Sequence, residues 1–451
     1  MLAIVKAIPR HHPLPSNSSI GKRCFLRSNH LRYYSKSLVS TTRRKPFVWT
    51  SNSSKRLQPD QGRSNFSSTS SCKLSNIDAS QLTIRTTHSP KKIPRNEDLK
   101  FGQTFSDHML VVDWDESAGW SAPLIKPYST IEIDPSSSVL HYATTCFEGM
   151  KAYKSHDGQI RLFRPEMNMN RLNLSAHRLA FPSFDGKNLV ECIKRLIKLD
   201  SDWIPTQAGH SLYIRPTMIG SSAGLGVGKA GSITLFVICS PVGPYYPKGF
   251  KPISLLATTK YCRAWPGGSG GFKLGANYPT GILAQTEANQ QGFDQILWLF
   301  GDDDHITEVG TMNIFIVLEN SDKTIEIVTP PLDDKILPGV TRDSTISLIR
   351  SHIDGSRTLK GLPDRGLLEL SERNISMAEL VSRSRQDQVK EIFGTGTAAI
   401  VSTVESIGYK NEILKIPVGS NGLGEFSGVV QDQILGIQTG QIESDWSILV
   451  K

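Results

Sequence analysis

A glycine-rich stretch followed by a lysine is the first part of this chain that could do chemistry. It runs from Gly267 to Gly271 with four glycines in five residues, and Lys273 and Tyr278 follow it. Because glycine has no side chain, such a backbone can approach a ligand closely. The lysine amine could then act as a nucleophile or as a base. Taken alone, the same pattern also fits a lysine on a solvated loop.

Three further segments carry groups that could bind a small molecule. Glu308 precedes a β-rich run, which places its carboxylate at the mouth of a predicted strand. The segment 337–343 enters a predicted helix, whose first N–H groups form an anion site together with the Thr341 hydroxyl. The segment 393–399 is a turn of small residues, a backbone type that can hold a phosphate or a carboxylate. Each segment alone indicates little.

These segments need a scaffold, and apolar periodicity predicts one of strands and helices. Strands are predicted at Met109–Trp114, Gln159–Phe163, Ser211–Met218, Ile233–Ile238, Ile253–Ala257, Gln295–Phe300, Ile314–Leu318 and Thr324–Val328. Helices are predicted at Asn188–Leu199, Gly281–Gln290, Arg342–His352, Ala378–Arg383 and Phe426–Ile437. Ser376 and Glu379 have the spacing of a capping box at one helix start. The pattern therefore predicts an α/β fold.

Positive charge is concentrated at the N-terminus. The chain of 451 residues has a formal charge of +9, but residues 1–96 hold 18 of the 51 Lys and Arg and only two of the 42 Asp and Glu, Asp60 and Asp78. That segment is therefore +16 and the remainder −7. A uniformly basic chain would indicate nucleic acid or an anionic membrane as partner. A Ser-rich, acid-poor leader is instead typical of an organellar transit peptide, or of a basic tail that is retained.

The composition shifts divide the chain into four predicted segments. They are a transit peptide and disordered leader at 1–95, a small α/β domain at 96–222, a Gly/Ser-rich interdomain loop at 223–232 and a large α/β domain at 233–451. No run approaches 18 consecutive apolar residues, so no membrane span is expected. The six cysteines show no CxxC spacing, which argues against a disulfide framework or a zinc site.

Two motifs that at first suggest a nucleotide site and a metal site have more ordinary interpretations. Gly224–Gly228 lacks the GxGxxG spacing, and no acid follows at the position expected for a dinucleotide-binding site. The acidic run Asp302–His305 could ligate a metal, but it lies between two predicted strands, where a solvated turn is far more common. Neither a nucleotide nor a metal is therefore expected.

Taken together and in this order, the four segments resemble the class IV fold of pyridoxal-phosphate enzymes, and specifically the branched-chain amino acid aminotransferases. The resemblance extends over the whole body and is closest to the animal and fungal branch. It implies two α/β domains with the cofactor, pyridoxal 5'-phosphate, at the domain interface. Further blocks that carry it are Phe101–Met109, Phe147–Tyr153, Arg161–Pro165, Leu212–Pro216, Ser240–Tyr246 and Trp446–Ser447.

The resemblance also implies roles in cofactor binding. Lys273 would attach the cofactor covalently and move the proton, Glu308 would pair with the pyridine nitrogen, and Tyr278 would bind the phenolic oxygen. Leu337 would pack against the ring. The remaining cofactor-binding positions, which surround the phosphate, would be Arg171, Gly339, Val340, Thr341, Gly396 and Thr397.

For the substrates, the resemblance implies leucine, isoleucine or valine exchanging amino groups with 2-oxoglutarate in a ping-pong mechanism. Arg215 is a source of polar partners for the glutamate side chain. The carboxylate would bind at Tyr142, Thr311 and Ala398, and the apolar pocket would be lined by Phe101, Phe147, Tyr213 and Val227. The family pocket implies a homodimer, and neither nucleic acid nor a membrane is an expected partner. The mitochondrial matrix is the expected compartment, with the plastid stroma as the alternative.

The sequence departs from the family at two places. Animal relatives have a CxxC pair after the small-residue turn, whereas this chain has Ala399-Ile400-Val401-Ser402, so thiol regulation is not expected there. Pro279 follows Tyr278 directly, one place earlier than in relatives. The alternatives within the fold are a D-amino acid aminotransferase and an aminodeoxychorismate lyase. The alternatives without such an enzymatic activity are an inactive cofactor-binding paralogue and a basic nucleic-acid-binding protein.

Overall fold

Two β-sheets carry the fold of this chain. The computed structural model describes residues 75–155, 157–244 and 251–451. Within them the strands of the first sheet are β1 (Thr83–Ile84), β2 (His108–Asp115), β3 (Gly119–Trp120), β4 (Leu124–Pro127), β5 (Thr145–Phe147), β6 (Met150–Lys154), β7 (Ile160–Phe163), β8 (Ser211–Gly220), β9 (Ser232–Val242) and, from the far end of the chain, β19 (Ser447–Leu449). The strands of the second sheet are β10 (Ile253–Thr258), β11 (Gln295–Phe300), β12 (His305–Val309), β13 (Met312–Glu319), β14 (Ile325–Thr329), β15 (Leu368–Glu372), β16 (Val389–Gly396), β17 (Ile400–Tyr409) and β18 (Glu412–Lys415).

Seven α-helices are present in the described residues. They are α1 (Ser138–Tyr142), α2 (Pro165–Arg178), α3 (Gly186–Leu199), α4 (Ile282–Gln290), α5 (Val340–Ile353), α6 (Met377–Arg385) and α7 (Glu425–Thr439). Every strand and helix named from periodicity is present, with ends that differ by up to four residues. The predicted α/β class is therefore confirmed. No helix in the described ranges is long and apolar enough to cross a bilayer.

The first sheet is open, and its order is β1-β4-β2-β9-β8-β6-β7-β19. Helices α2 and α3 pack on it through an apolar core of side chains such as Leu172 and Ile193. Helix α3 has its apolar residues on one face and is capped by Asp185, whose carboxylate accepts the N–H groups of Lys187 and Asn188. The last strand, β19, returns the C-terminus to this sheet by pairing with β7.

The second sheet closes on itself. Its order runs β12-β11-β10-β17-β16-β13, and a further pairing between β12 and β13 joins the two ends. The six strands form a small barrel whose interior is filled by apolar side chains, as the unbroken buried run of β13 indicates. On β13 and β16, Phe315 and Phe393 lie opposite each other and stack with ring centroids 5.2 Å apart. The barrel therefore holds β12 and the β16–β17 turn, which carry candidate site residues.

The folded body begins earlier than the predicted boundary at residue 96. Ile77 is 1% exposed within the first core, and Thr83 and Ile84 pair with Leu124 and Ile125 of β4. The Lys91 amine donates to the carbonyl oxygens of Phe105 and Ser106. The assignment of residues 75–95 to a disordered leader is therefore wrong. The few side chains that anchor this segment are separated by polar residues, so the composition of the segment does not reveal them. The leader residues 1–74 lie outside the described ranges.

The Gly/Ser-rich segment 223–232 does not connect the two sheets. Strands β8 and β9 pair along their whole length, from Ser211 with Val242 to Gly220 with Ile233. The residues between them therefore form the loop of a β-hairpin within the first sheet. The chain passes to the second sheet only after Val242, so the division at 223–232 does not coincide with the observed topology.

Two smaller expectations also have an outcome. The three aspartates of the acidic run lie in a turn at residues 301–304, as predicted. The capping box is only half formed. The Ser376 hydroxyl accepts the Glu379 N–H, but the Glu379 carboxylate pairs with Arg373 instead of the Ser376 backbone.

Candidate active site

Lys273 is fixed in place by its backbone. Its N–H donates to the Ser175 hydroxyl at 2.8 Å, and its carbonyl oxygen accepts the N–H of Phe147 at 3.1 Å. The lysine is therefore held between α2 and β5. Its Nζ lies 2.9 Å from the Tyr278 hydroxyl and 4.9 Å from the centre of the Phe147 ring. The amine thus points into the space between the two sheets.

The glycines before Lys273 allow the close approach that their spacing predicts. A Cβ on Gly270 would lie 2.3 Å from the Ala264 side chain and 2.8 Å from the Asp334 carbonyl oxygen. The neighbouring Gly271 N–H donates to the same carbonyl at 2.8 Å. A side chain at Gly270 would therefore push this loop off the segment that leads into α5.

Tyr278 lies between two short 3-10 turns, Gly275–Asn277 and Pro279–Gly281. Pro279 is the first residue of the second turn, where its missing N–H costs no hydrogen bond. The Tyr278 ring also contacts the Phe147 ring at 5.0 Å. The shifted proline is thus compatible with a tyrosine hydroxyl beside the Lys273 amine.

Glu308 lies on β12 and is 1% exposed. One carboxylate oxygen accepts the Leu337 N–H at 2.8 Å and the Asn313 amide at 3.3 Å, and the other lies 2.7 Å from Arg263 Nη2. Burial raises the pKa of Glu308, although Arg263 and the Leu337 N–H act against that shift. A buried carboxylate that is paired with a single arginine interacts strongly with charges placed close to it.

The start of α5 and Arg171 lie side by side. Helix α5 begins at Val340 after Gly339, which has no side chain to cap the first N–H groups. The Arg171 Nη1 donates to the Pro338 carbonyl at 2.9 Å, directly before this helix start. Thr341, in the first turn, is 7% exposed. A guanidinium, free helix N–H groups and a hydroxyl suit a phosphate.

Arg171 is oriented by a buried acid, Glu148. The guanidinium makes two hydrogen bonds to the Glu148 carboxylate, at 2.7 and 2.8 Å, and Asn168 donates to the same group at 2.8 Å. Burial by itself would raise the pKa of Glu148, but Arg171 and Lys273 lower it below its ordinary value. The pair leaves Arg171 Nη1 free to reach the start of α5.

This pair leads to a prediction about stability. Because the pKa of Glu148 is lowered in the folded state, its contribution is present above the unfolded value near 4.5 and is lost as the pH falls through the folded value. Glu148→Gln should lower the free energy of unfolding by about 3 kcal/mol at pH 7, since it leaves Arg171 buried without a countercharge. Urea unfolding at pH 7 and at pH 4 measures this.

The control for this prediction is Glu191→Gln, which removes an exposed partner of Lys194. That variant should change the free energy of unfolding by less than about 1 kcal/mol at both pH values. A free energy of unfolding for Glu148→Gln within about 1 kcal/mol of the unaltered protein at pH 7 would contradict a charge-based role for Glu148.

A cavity of about 560 Å³ opens beside Lys273. Among its walls, the Arg215 guanidinium donates to the Tyr213 hydroxyl at 2.9 Å and lies 4.6 Å from the centre of the Phe147 ring. A second cavity of about 380 Å³ shares Tyr278 and Thr311 with it and reaches Arg263 and Leu337. The expected site residues that line the larger cavity are Phe101, Phe147, Tyr213, Arg215, Lys273, Tyr278, Thr311, Gly396, Thr397 and Ala398.

Two expected substrate-binding residues do not reach this cavity. Tyr142 is 40% exposed and donates its hydroxyl hydrogen to the Leu225 carbonyl, while Val227 is 84% exposed on the β8–β9 hairpin loop. Neither residue lines a cavity with Lys273 in the same chain. The grouping of both with the pocket walls is therefore not observed within this chain: Val227 is on an exposed hairpin loop, and Tyr142 contacts the same loop through Leu225.

Sequence reasoning missed several residues that shape the site. Glu148 and Arg263 pair with the Arg171 and Glu308 side chains, and Ser175 binds the Lys273 backbone. Ser175 had a usable signal, since it lies four residues after Arg171 and therefore one turn further along α2. No sequence signal pointed to Glu148 or Arg263 as partners, because each is distant in sequence from the residue with which it pairs.

Comparison with known proteins agrees with this geometry. A family model, amino-transferase class IV, matches residues 145–407. A branched-chain-amino-acid aminotransferase of Dictyostelium discoideum is 48% identical over 377 residues, which cover 83% of this chain and 96% of the relative. The cytosolic and mitochondrial enzymes of Saccharomyces cerevisiae are each 46% identical, covering 84% and 82% of this chain and 98% and 93% of those proteins.

Solved structures show the same fold. The Escherichia coli branched-chain amino acid aminotransferase superimposes with a TM-score of 0.57 at 25% identity, covering 75% of this chain and 99% of its own. The enzyme of the same name from Thermobaculum terrenum, in its PLP form, superimposes with a TM-score of 0.58 at 19% identity, covering 77% of this chain and 100% of its own. The class defined by this fold and site is that of the class IV aminotransferases.

Within that class, the chain belongs to the branched-chain-amino-acid aminotransferase family. The family model covers residues 145–407, which include strands of both sheets. The family resemblance and the enzyme class that the sequence predicted are both confirmed.

Proposed function

We propose that this aminotransferase exchanges the amino group between L-leucine, L-isoleucine or L-valine and 2-oxoglutarate, with pyridoxal 5'-phosphate as cofactor. The observation that carries the proposal is the Lys273 amine, which meets the Tyr278 hydroxyl at the wall of an aromatic cavity. When bound, the cofactor supplies an electron-withdrawing ring that carries the amino group between two half-reactions of a ping-pong cycle.

The side chains around the cavity fit this cofactor. The first N–H groups of α5, at Val340 and Thr341, together with Arg171 would hold the phosphate, and Gly339 keeps that helix start open. Gly396, at the end of β16, and Thr397, in the turn after it, would complete this site. On the opposite side, Glu308 offers a buried carboxylate to a protonated ring nitrogen, and Leu337 packs beside it. The set of one amine, one phenol, one carboxylate and a phosphate-binding helix start matches each polar group of the cofactor.

Lys273 has two tasks in this scheme. Its amine would hold the cofactor at the aldehyde carbon, with loss of water, and once displaced by the substrate amine it would move a proton between the substrate Cα and that cofactor carbon. The Tyr278 hydroxyl, 2.9 Å away, would keep the amine oriented toward that carbon. Glu308 would stay charged through Arg263 and the Leu337 N–H, so that it can hold a proton on the ring nitrogen.

The cavity walls account for both substrate classes. Phe101, Phe147 and Tyr213 form an apolar surface that suits a branched aliphatic side chain, since each buried CH₂ contributes about 0.8 kcal/mol. The Arg215 guanidinium and the Tyr213 hydroxyl would bind the side-chain carboxylate of glutamate. Thr311 and Ala398, which line the same cavity, would receive the carboxylate next to the Cα.

We further propose a homodimer as the active form. Tyr142 and Val227 lie outside the cavity of their own chain, while the family resemblance assigns both to the substrate pocket. A second copy could bring its hairpin loop to the open mouth of the cavity. Sedimentation of the purified protein tests this, and a monomer with full activity would refute it.

For the compartment we propose the mitochondrial matrix, with the plastid stroma as the alternative. The support is the excess of basic residues and the scarcity of acids in the leader. Relatives in yeast occur in both cytosolic and mitochondrial forms, so the relatives by themselves do not select a compartment. Cell fractionation together with mass spectrometry of the mature N-terminus decides the matter.

The activity is tested with a panel of amino donors. With 2-oxoglutarate as acceptor, we expect leucine, isoleucine and valine to be used at least about 10-fold better by kcat/KM than alanine, because the aromatic wall gains from two or more additional buried carbons. D-Leucine and aminodeoxychorismate should give no product. Glutamate release is measured for the amino donors and pyruvate release for aminodeoxychorismate, and a preference for D-leucine or for aminodeoxychorismate would replace the proposal by one of the alternative class IV activities.

A further inference from the structure

Lys151 is a partly buried lysine that the proposed function does not use. It lies on β6, opposite Tyr213 of β8, and therefore on the sheet that supplies the aromatic wall of the cavity. Its Nζ donates to the Ala398 carbonyl oxygen at 2.7 Å. This contact joins residues 247 positions apart and links the first sheet to the barrel.

The turn that Lys151 holds borders the cavity. Residues 397–399 connect β16 to β17, and Gly396, Thr397, Ala398 and Ala399 all line the cavity beside Lys273. The Ala398 carbonyl belongs to the same planar peptide as the Ala399 N–H, so a donor that fixes the carbonyl also fixes that N–H. Among the described residues, no backbone acceptor is found for the N–H of Ala398 or of Ala399.

The Lys151 amine has no countercharge of its own. It forms no ion pair within the described residues, in contrast to the guanidinium of Arg171, which is matched by Glu148. Burial lowers the pKa of Lys151 to about 8, and no carboxylate acts to raise it again. Burying an ammonium group without a countercharge costs free energy, unless the anion of a bound ligand compensates its charge.

We propose that Lys151 is a positioning residue for the substrate carboxylate: its ammonium fixes the 397–399 turn and supplies the positive charge that the carboxylate pairs with at long range. The inference rests on the proposed function, since it assigns the anion to the amino acid or oxo acid. The cofactor phosphate is the less suitable anion, because Arg171 and the start of α5 already serve it.

The test replaces Lys151 by methionine, which keeps the length of the side chain and removes its charge. In the holoenzyme, Lys151→Met should raise KM for both leucine and 2-oxoglutarate by about 10- to 100-fold, while kcat changes by less than about threefold, because the charge acts on the bound substrate and its transition state alike. Lys151→Arg, which keeps the charge, should restore most of the affinity. The matched control is Lys154→Met, three residues along the same strand and therefore on its opposite face.

A binding measurement separates the carboxylate from every other effect. Calorimetry on the holoenzyme compares 4-methylpentanoate with 4-methylpentanamide, two non-reactive analogues that differ in charge. The unaltered enzyme should prefer the carboxylate at least about 10-fold, and Lys151→Met should lose most of that preference. The dissociation constant of the cofactor should stay the same in the variant.

Each remaining outcome would overturn the inference. A KM within about twofold of the unaltered enzyme, an equal effect of Lys154→Met, or a weakened cofactor with unchanged KM would each do so. Thermal unfolding of both Lys151 variants checks the fold, and failure of Lys151→Arg to fold would assign the lysine to structure instead. An unaltered enzyme that is inactive on leucine would refute the proposed function, which is a separate result.

Discussion

Lys273→Ala is expected to abolish transamination, with a loss in kcat of at least about 10⁴-fold. The variant removes both the amine that would bond to the cofactor and the base that would move the proton, and general acid–base catalysis alone is worth up to about 10⁴. The measurement is glutamate formation from leucine and 2-oxoglutarate at saturating cofactor. The variant should also lack the visible absorption band of covalently attached cofactor.

The control for this result is Lys260→Ala, which removes an exposed lysine paired with Glu287. It should keep full activity and the absorption band. Cofactor binding to Lys273→Ala is measured separately by dialysis, because Arg171 and the start of α5 should still retain the phosphate. Residual activity above about one per cent, with the absorption band intact, would show that another amine attaches the cofactor.

Periodicity predicted those parts of the fold in which one face of an element is apolar. Helix α3 and strand β11 have ends within two residues of their predicted positions, since their buried side chains repeat at helical and strand spacing. Strands β16 and β17 were not predicted. Strand β17 is rich in β-branched residues, so its sequence did carry a strand signal. The end of β16 was assigned to the small-residue turn at 393–399, although residues 393–395 pair with β13 in the barrel.

The domain boundaries depend on which strands pair, and a single sequence does not contain that information. A Gly/Ser-rich stretch marks a loop, but whether that loop closes a hairpin or joins two domains depends on which strands pair around it. At the N-terminus, a single buried side chain such as Ile77 anchors a segment whose composition resembles a leader. When the charge is recounted with the boundary at residue 75, where the described body begins, residues 1–74 carry +13 and the remainder carries −4.

The candidate site was predictable where the chemistry lies in local motifs. The glycine-rich loop, the helix start at 339–341 and the segment 396–398 are each continuous in sequence. The structure places 396–398 in one cavity with Lys273, and the helix start beside Arg171. The supporting ion pairs were not predictable, because Glu148 reaches Arg171 and Arg263 reaches Glu308 only through the fold. Pairing between distant residues leaves no trace in one sequence.

Glu308→Gln is expected to lower kcat by about 10²- to 10³-fold with little change in KM. The substitution keeps the shape and the hydrogen bond from the Leu337 N–H, but it removes the charge that would hold a proton on the ring nitrogen. An electrostatic contact of this kind typically contributes that much to the rate. Steady-state kinetics with leucine and 2-oxoglutarate measures the change, and bound cofactor is quantified in parallel.

The pH dependence distinguishes this role from a structural one. Because burial raises the pKa of Glu308, the unaltered enzyme should lose kcat as the pH falls through that raised value, whereas Glu308→Gln should show no such decline. The matched control is Glu391→Gln. The Glu391 carboxylate is also buried, with its pKa raised by burial, but it accepts the N–H groups of Phe426 and Ser427 at the start of α7.

Glu391→Gln should therefore reduce stability while leaving kcat and its pH profile unchanged. If Glu308→Gln behaves in the same way, with lower stability and normal kcat, then Glu308 serves only to hold Arg263 and the segment that carries Leu337. A loss of kcat confined to Glu308→Gln, with the acidic limb of the profile removed, instead assigns the buried carboxylate to the charge state of the cofactor ring, because only a group that titrates against the reacting atoms can change that limb.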